Sequence, residues 1–546
     1  MRDRARVPGT PDVEENAAEL EQSLGALTAE RDRVAKERDE YKRLYLSTLE
    51  LCRKLELGIL GQKRERFANG DSVTMPLLGL LTENASDGGP PPEQPAQQEV
   101  AAHNRAKPTG RKPLPEKLPR VDITVLPPEV QEAGLNAFDK IGEDVSETVE
   151  RRPASVVVVR VHKPKFVLKG TDRVEEDCKV LQGSPPELPI ERGLAGPALL
   201  AETVVHRWQD HLPLHRLERV YGRDGLPLAR STICSWHQAL ADLVQPLIAA
   251  MWTDAFTAPY LCTDATGVLV QDNEKCRRGH FWVLAAPEKH ILFAYSPKHD
   301  GAAVDDLLEG YKGYLVSDAH SVYEHLSQTG DIVSCGCMSH ARRYYFKALQ
   351  SDPGRARHAL NLFGTLFKLE RDWKSFQPDV RRELRQAQAK PVLHELFAWC
   401  DREADLVLDE TPISKAIGYS RNQRVALSRF LEDGRLPMSN NLSERELRRE
   451  AVGRKNWLFL GNDDAGDVNA TFVTLLASCQ LHGIEPLGYL RDLFCLLPSW
   501  PAKRVLELAP AYWQQTLQQQ DAQQRLAANV FRQVALGTLV EHRPEK

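Results

Sequence analysis

Three acidic residues stand out by the company they keep. Asp264 interrupts the apolar stretch APYLCTDATGVLVQ, Asp318 closes YLVSDAH just after Leu315 and Val316, and Glu444 opens a basic segment, MSNNLSERELRREAVGRKNW (Met438–Trp457). An ionised carboxylate beside a core is expensive unless it is paired or metal-bound. Two aspartates on apolar strands and a glutamate among arginines therefore suit metal-assisted phosphoryl transfer. Glu444 also admits a plain structural reading, because Asn441-Leu-Ser-Glu444 has the spacing of a capping box. Arg445, Arg448, Arg454 and Lys455 cluster around it and suit a polyanion such as DNA, although surface ion pairs give the same pattern. Arg342 and Arg343 carry the same two readings as phosphate contacts or partnered surface arginines. Just before them, Cys335, Cys337 and His340 form C-x-C-x-x-H, three zinc-type ligands without a visible fourth, which reads as a buried thiol pair and a histidine.

The elements that must position these groups follow from periodicity. Residues 258–271, GHFWVLAAPEK and HILFAYSPK read as three consecutive strands, AAVDDLLEGY as a short helix, and YLVSDAH as a fourth strand. Three strands, a helix and a fourth strand, with aspartates on the first and fourth and a later carboxylate on a helix, is the order of the ribonuclease H-like nucleotidyl-transfer fold. The first and fourth strands then lie side by side. Glu444 comes too late for the bare fold, so residues 348–432, which look helical, are expected as an insertion.

Upstream, Val13, Leu20, Leu27, Val34 and Tyr41 recur every seven residues, and 11–67 reads as an imperfect coiled coil with a basic end. Residues 68–102 are rich in Pro, Gly and Gln and read as a disordered linker. Residues 103–182 hold a basic, proline-punctuated segment with Arg111 and Lys112, which suit phosphates or a minor groove, and then a small β-rich module. Ala154–Arg160 and Pro164–Leu168 are its expected strands. Residues 183–255 read as a helical, DNA-binding-like domain in which a turn at Gly225 and a cap at Ser231 or Thr232 resemble a helix-turn-helix, with Arg230 at the start of the second helix. The catalytic domain is expected over 256–500 and a helical tail over 501–546. The fold class is thus multidomain, α+β and α/β.

Composition bounds the setting. The chain has 546 residues, 42% hydrophobic and 27% charged, with a formal net charge of −5, so DNA contact must come from local basic patches rather than a uniform coat. No apolar run reaches the ~18 to 20 residues of a membrane helix, and the N-terminus lacks an apolar signal region. Ten scattered cysteines show no disulfide framework. A cytoplasmic protein with no membrane partner is expected.

Taken together the motifs resemble those of a DDE transposase of the insertion-sequence-66 family. They are LELGILGQKRER (Leu55–Arg66), GRKPLP from Gly110, the block ending RSTICSW (Arg230–Trp236), Thr263-Asp-Ala-Thr266, Leu315-Val-Ser-Asp318, CMSHARR from Cys337, NNLSER from Asn440, GRKNW from Gly453 and PLGYL from Pro486. The resemblance implies that Asp264, Asp318 and Glu444 are the catalytic triad and hold two Mg²⁺ or Mn²⁺ ions. It further implies double-stranded DNA, both element ends and target, as partner, a homo-oligomer, and small accessory proteins of the same element. Two departures mark this chain. The family's paired-cysteine zinc module has no counterpart, since about 129–169 contains no cysteine, so a degenerate zinc-finger-like fold without zinc is expected. The aspartate on the fourth strand is followed by Ala319-His320 where the family has Gly-Tyr. These departures motivate the alternative of a catalytically inactive DNA-binding or regulatory protein derived from a transposase.

Overall fold

The computed structural model describes residues 24, 25, 27–41, 43–45 and 48, and residues 114–539 except 117, 153, 154, 169–179, 273, 274, 319 and 329. Of the expected coiled coil, the described residues are helical and mostly exposed, with heptad positions Leu27, Val34 and Tyr41 outward. The rest of 11–67, the linker at 68–102, and Arg111 and Lys112 lie outside the described residues. The chain divides into two units, one of 107–339, 377–382 and 425–546, the other of 1–106, 340–376 and 383–424.

In the first unit, the β-branched run SVVVVRV seeds a long strand. β1 (Arg120–Thr124) pairs in parallel with β3 (Ser155–Leu168), which pairs antiparallel with β2 (Phe138–Arg152), and β4 (Leu181–Gln182) adds a short edge. The two strands expected at 154–160 and 164–168 are one. Pro164 is accommodated inside β3 opposite Glu143, close to the register shift between Lys140 and Gly142. One face of this sheet packs Val157, Val159 and Val161 against Phe531 and Val534 of a helix near the end of the chain.

The helical segment that follows comprises α1 (Pro197–Val204), α2 (Leu214–Arg223) and α3 (Arg230–Ala255). Gly225 supplies the turn between α2 and α3 at φ 83. The cap expected at Ser231 or Thr232 is displaced: α3 begins at Arg230 after Ala229, with no side-chain cap, and Arg230 pairs with Glu218 at 3.4 Å.

The second sheet contains β5 (Tyr260–Val270), β6 (Arg277–Ala286), β7 (His290–Ser296), β8 (Gly313–Ser317) and β9 (Ile332–Gly336), in the spatial order β7-β6-β5-β8-β9. α4 (Gly301–Leu307) lies in the crossover from β7 to β8. The edge at β7 is sealed by side chains. Thr474 Oγ1 accepts from the Phe293 amide at 2.8 Å, and Ser478 Oγ both accepts from Ile291 N–H and donates to its carbonyl at 3.1 Å. This removes the open strand edge that would otherwise pair with another chain.

The other unit is helical. It includes most of α5 (Met338–Ala348), then α6 (Pro353–Asp372), α7 (Lys390–Ala404) and α8 (Pro412–Asn422). Its interior holds the Tyr345 hydroxyl, 3.1 Å from Cys400 Sγ and 3.0 Å from Ser420 Oγ, and the fully buried Arg385, which clasps Glu370 through two 2.7 Å bonds. The first unit closes with α9 (Asn441–Trp457), α10 (Asp463–Leu481), α11 (Pro486–Leu496) and α12 (Val530–Leu536). Among the described residues no helix is long and apolar enough to cross a membrane.

One buried carboxylate joins the β module to α1. Glu150 Oε1 accepts from Leu199 N–H at 2.9 Å and Arg151 N–H at 2.7 Å, so it caps a helix whose own N-cap, Gly196, has no side chain. Gly196 passes so close to Glu150 that any Cβ there would collide with the carboxylate. Burial pushes the Glu150 carboxyl up to about 8, against the backbone hydrogen bonds that oppose it. A folded value raised above the unfolded 4.5 stabilises fully below 4.5 and loses that contribution as pH rises through about 8. The melting temperature should therefore fall more steeply between pH 5 and pH 8 in wild type than in Glu150→Gln, which keeps an acceptor and cannot ionise. Equal slopes would show that Glu150 is already charged at pH 5.

Candidate active site

β5 and β8 run parallel in the register Tyr260 to Tyr314, Leu261 to Leu315 and Cys262 to Val316. Carried two residues on, that register sets Asp264 level with Asp318, on strands ~4.8 Å apart and on the same face. Both aspartates are half-buried. Tyr323, buried beside them, reports their charge: burial first, and then Asp318 and Asp264, push its phenol up. The departure at His320 places an imidazole in the same neighbourhood. Its ring lies 4.8 Å from that of His299, which stacks on Trp282 at 4.9 Å. Burial and His320 hold His299 below its ordinary value, and Asp318 opposes them.

Glu444 reaches this sheet through Asn440. The capping box is not formed: the N-cap of α9 is Asn440, without a side-chain cap bond, which moves Glu444 one position past the capping-box glutamate. Asn440 is fully buried and spends its side chain elsewhere. Nδ2 donates to the carbonyl of Thr263, the residue before Asp264, at 2.8 Å. Its own amide donates to Cys337 Sγ at 3.2 Å, its carbonyl accepts from Glu444 N–H at 3.2 Å, and nearby Met338 N–H donates to Met438 at 2.9 Å. The segment after β9, the first turn of α9 and the Asp264 strand are thus tied together. Cys335 and Cys337 are buried thiols outside any disulfide, and Cys337 Sγ lies within 4.8 Å of a Glu444 oxygen.

Among the described residues the three carboxylates do not form one set with every ligand oxygen within 4.8 Å. Two ligands of one Mg²⁺ lie at most ~4.2 Å apart, twice the ~2.1 Å bond. The trio is therefore too open to hold a single ion as a group, and its hard oxygen donors suit Mg²⁺ or Mn²⁺.

The remaining residues singled out by sequence divide by position. Arg445, Arg448 and Lys455 occupy the exposed face of α9. Arg454 turns inward, donating to Thr266 Oγ1 at 2.9 Å and to the Gly267 carbonyl. Arg342 and Arg343 lie half-buried on α5 in the helical unit, and Arg230 heads α3. Two groups escaped sequence reading. One is Asn440. The other is Glu450 on the inner face of α9, bonded to Asn469 at 3.3 Å, whose carboxyl burial pushes up to about 7 while Arg207, Arg454 and Arg449 oppose. Its alternation with cations on a helix gave a weak signal.

Aspartates level on paired strands and a glutamate tethered to the same strand, beside a cation-bearing helix, suit a nucleic-acid-processing enzyme. Comparison with known proteins narrows the class. The family described as "Transposase IS66 family" matches residues 192–468, and "IS66 C-terminal element" matches residues 474–511. The chain belongs to the IS66 transposase family, as the motifs led us to expect. It is 27% identical over 490 residues to the uncharacterized protein y4hP of Sinorhizobium fredii, covering 84% of this chain and 87% of the relative. The uncharacterized protein y4qI of the same organism is 31% identical over 424 residues, covering 74% and 77%. Membership implies a transposase role and divalent-metal use.

Asn440 gives the tether a direct test. Asn440→Ala should lower stability by ~1 to 3 kcal/mol, the range for a lost buried hydrogen bond, because the Thr263 carbonyl loses its donor. Asn440→Asp should be worse, setting a carboxylate against that carbonyl. If the tether also fixes Glu444 relative to Asp264, the rise in melting temperature produced by Mn²⁺ should shrink in both variants. An unchanged Mn²⁺ response would confine Asn440 to folding.

Proposed function

We propose that the chain is a DDE transposase that binds the ends of its element and carries out metal-dependent strand cleavage and strand transfer, using Asp264, Asp318 and Glu444 on a ribonuclease H-like sheet. The observation that carries this reading is the parallel β5–β8 register, which levels Asp264 with Asp318, with Asn440 fastening the Glu444 helix to the same strand. Asp264 and Asp318 form the strand-borne half of the donor set, and Glu444 the helix-borne half. The chemistry supplied by bound metal, two Mg²⁺ or Mn²⁺ ions on this reading, is activation of the attacking hydroxyl and stabilisation of the leaving oxygen.

The protein's own part is positioning. Arg445, Arg448 and Lys455, outward on α9, take phosphates of the bound duplex, while Arg454 braces α9 on β5. Arg230, Arg342 and Arg343, with Arg111 and Lys112, extend phosphate contact to element ends and target. The exposed heptad positions of the N-terminal helix suit a second copy, which makes a homo-oligomer. Accessory proteins of the same element complete the assembly.

Glu444→Gln tests the triad. Glu444 is not part of a formed capping box, so the substitution should leave melting and DNA binding nearly unchanged. Cleavage of end-containing DNA with Mg²⁺ should fall by orders of magnitude, because one charge of the donor set is gone. Wild type should cleave with Mg²⁺ and stop with EDTA. Equal cleavage by the variant removes Glu444 from the triad, and a wild type that binds ends without cleaving them is the inactive, regulatory protein instead.

A further inference from the structure

α9 ends in a turn that side-chain-bearing residues avoid. Leu458 sits at φ 64, ψ −51, and Phe459 N–H donates to the Trp457 carbonyl at 2.8 Å, which closes a γ-turn of the rare, strained hand. Glycine or asparagine usually takes a positive φ after a helix. Among the described non-glycine residues with positive φ, Leu458 has the one apolar side chain. The turn buries neither residue at its own tip: Leu458 is 63% exposed and Phe459 44%. A strained turn that leaves two large apolar side chains in solvent is a candidate for function.

The turn is rigidly backed. Leu460 N–H donates to the Leu269 carbonyl at 2.8 Å and the Leu460 carbonyl accepts from Gln271 N–H at 2.8 Å, extending β5 by a parallel bridge between Val270 and Leu460. Val270 and Leu460 are buried, so alternation turns their neighbours Leu269 and Phe459 outward together, and Leu269 is 48% exposed. Leu269 stands opposite the exposed Arg278 of β6. Lys455 is exposed one turn before Leu458, and half-buried Arg454 is close enough to Arg278 for each to feel the other's charge. Of the acids close in sequence, Asp463 is taken up by Arg277 and Tyr295, Asp464 accepts from Asn462, and Asp272 is exposed three residues after Leu269.

We propose that Leu458 and Phe459, backed by Leu269, form a wedge that enters the base stack of duplex DNA and holds bases apart, with Arg278 and Lys455 on the flanking phosphates. An apolar tip alone would fit a protein partner; the surrounding cations select a polyanion, and apolar side chains inserted between base steps are a known means of opening DNA. The wedge rests on the DNA reading of the candidate active site and lies on the same two elements. Leu269 comes five residues after Asp264, roughly 17 Å along β5, and Leu458 fourteen after Glu444, roughly 21 Å along α9. Five positions is an odd step, so Leu269 lies on the opposite face of β5 from Asp264, and the wedge takes DNA on the side of the sheet away from the candidate carboxylates.

The test uses the full chain, a short duplex, and the same duplex with a small bubble of unpaired bases, compared by fluorescence anisotropy at low salt. Wild type should bind the bubble roughly tenfold more tightly, within the range expected for stacking one or two bases on side chains. Leu458→Gly combined with Phe459→Ser should abolish that preference while keeping affinity for the intact duplex, and Leu458→Gly alone should melt no lower than wild type, since glycine accepts the turn. A preference that is absent in wild type, or that survives in the double variant, overturns the wedge. So does a dimer that falls apart on substitution, because a second copy would then cover the tip. Failure of wild type to bind either DNA removes the DNA reading itself, and the wedge with it.

Discussion

The parallel pairing of β5 with β8 is the constraint on which the candidate site depends. A slip of one residue would turn Asp318 to the opposite face from Asp264. The register is secured by position in the sheet: β8 is held between β5 and β9, and the buried Leu315, Val316, Leu261 and Cys262 fix which side of each strand faces the core. The aspartates lie just past the last β5–β8 pair, Cys262 with Val316, while β5 continues against β6. There a carboxylate keeps the water it needs while its backbone remains rigid.

The helix that brings the third carboxylate has two electrostatic faces. Inside, Glu446 and Glu450 are nearly buried and are answered by Arg449, Arg454 and Arg207, with Arg445 also reaching across to Glu446 at 3.0 Å. Outside, Arg445, Arg448 and Lys455 meet solvent. Acids are thus consumed on the inner face and cations displayed on the outer one. A chain with an overall negative charge can in this way present a positive surface beside the candidate site.

Much of the second sheet was legible because its strands are apolar runs broken by Gly, Pro and charged turns, and Asp264 and Asp318 stood out against them. β2 was not legible: GEDVSETVERR has two valines among many polar residues, one valine exposed and one of the acids, Glu150, buried, so nothing local distinguishes it from a charged loop. Pro164 misled in the other direction, since a proline ordinarily ends a strand. The capping box failed for a tertiary reason. Asn440 is drawn to Thr263, 177 residues away, and no local pattern encodes a bond of that span. Leu458 reads in NWLFL as ordinary core; only its backbone angle and exposure set it apart.

The apolar face of the β module is completed by Phe531 and Val534, close to the end of the chain. During synthesis, Val157, Val159 and Val161 leave the ribosome roughly 370 residues before those partners, a delay of ~20 to 70 s at ~5 to 20 residues per second. This module therefore stays incomplete through most of that interval, and a stop that spares Asp264, Asp318 and Glu444 but precedes α12 still leaves its valine face bare. A chain cut before α12 would expose that valine face to other chains, so the helix that covers it protects the module from association as well as completing its core.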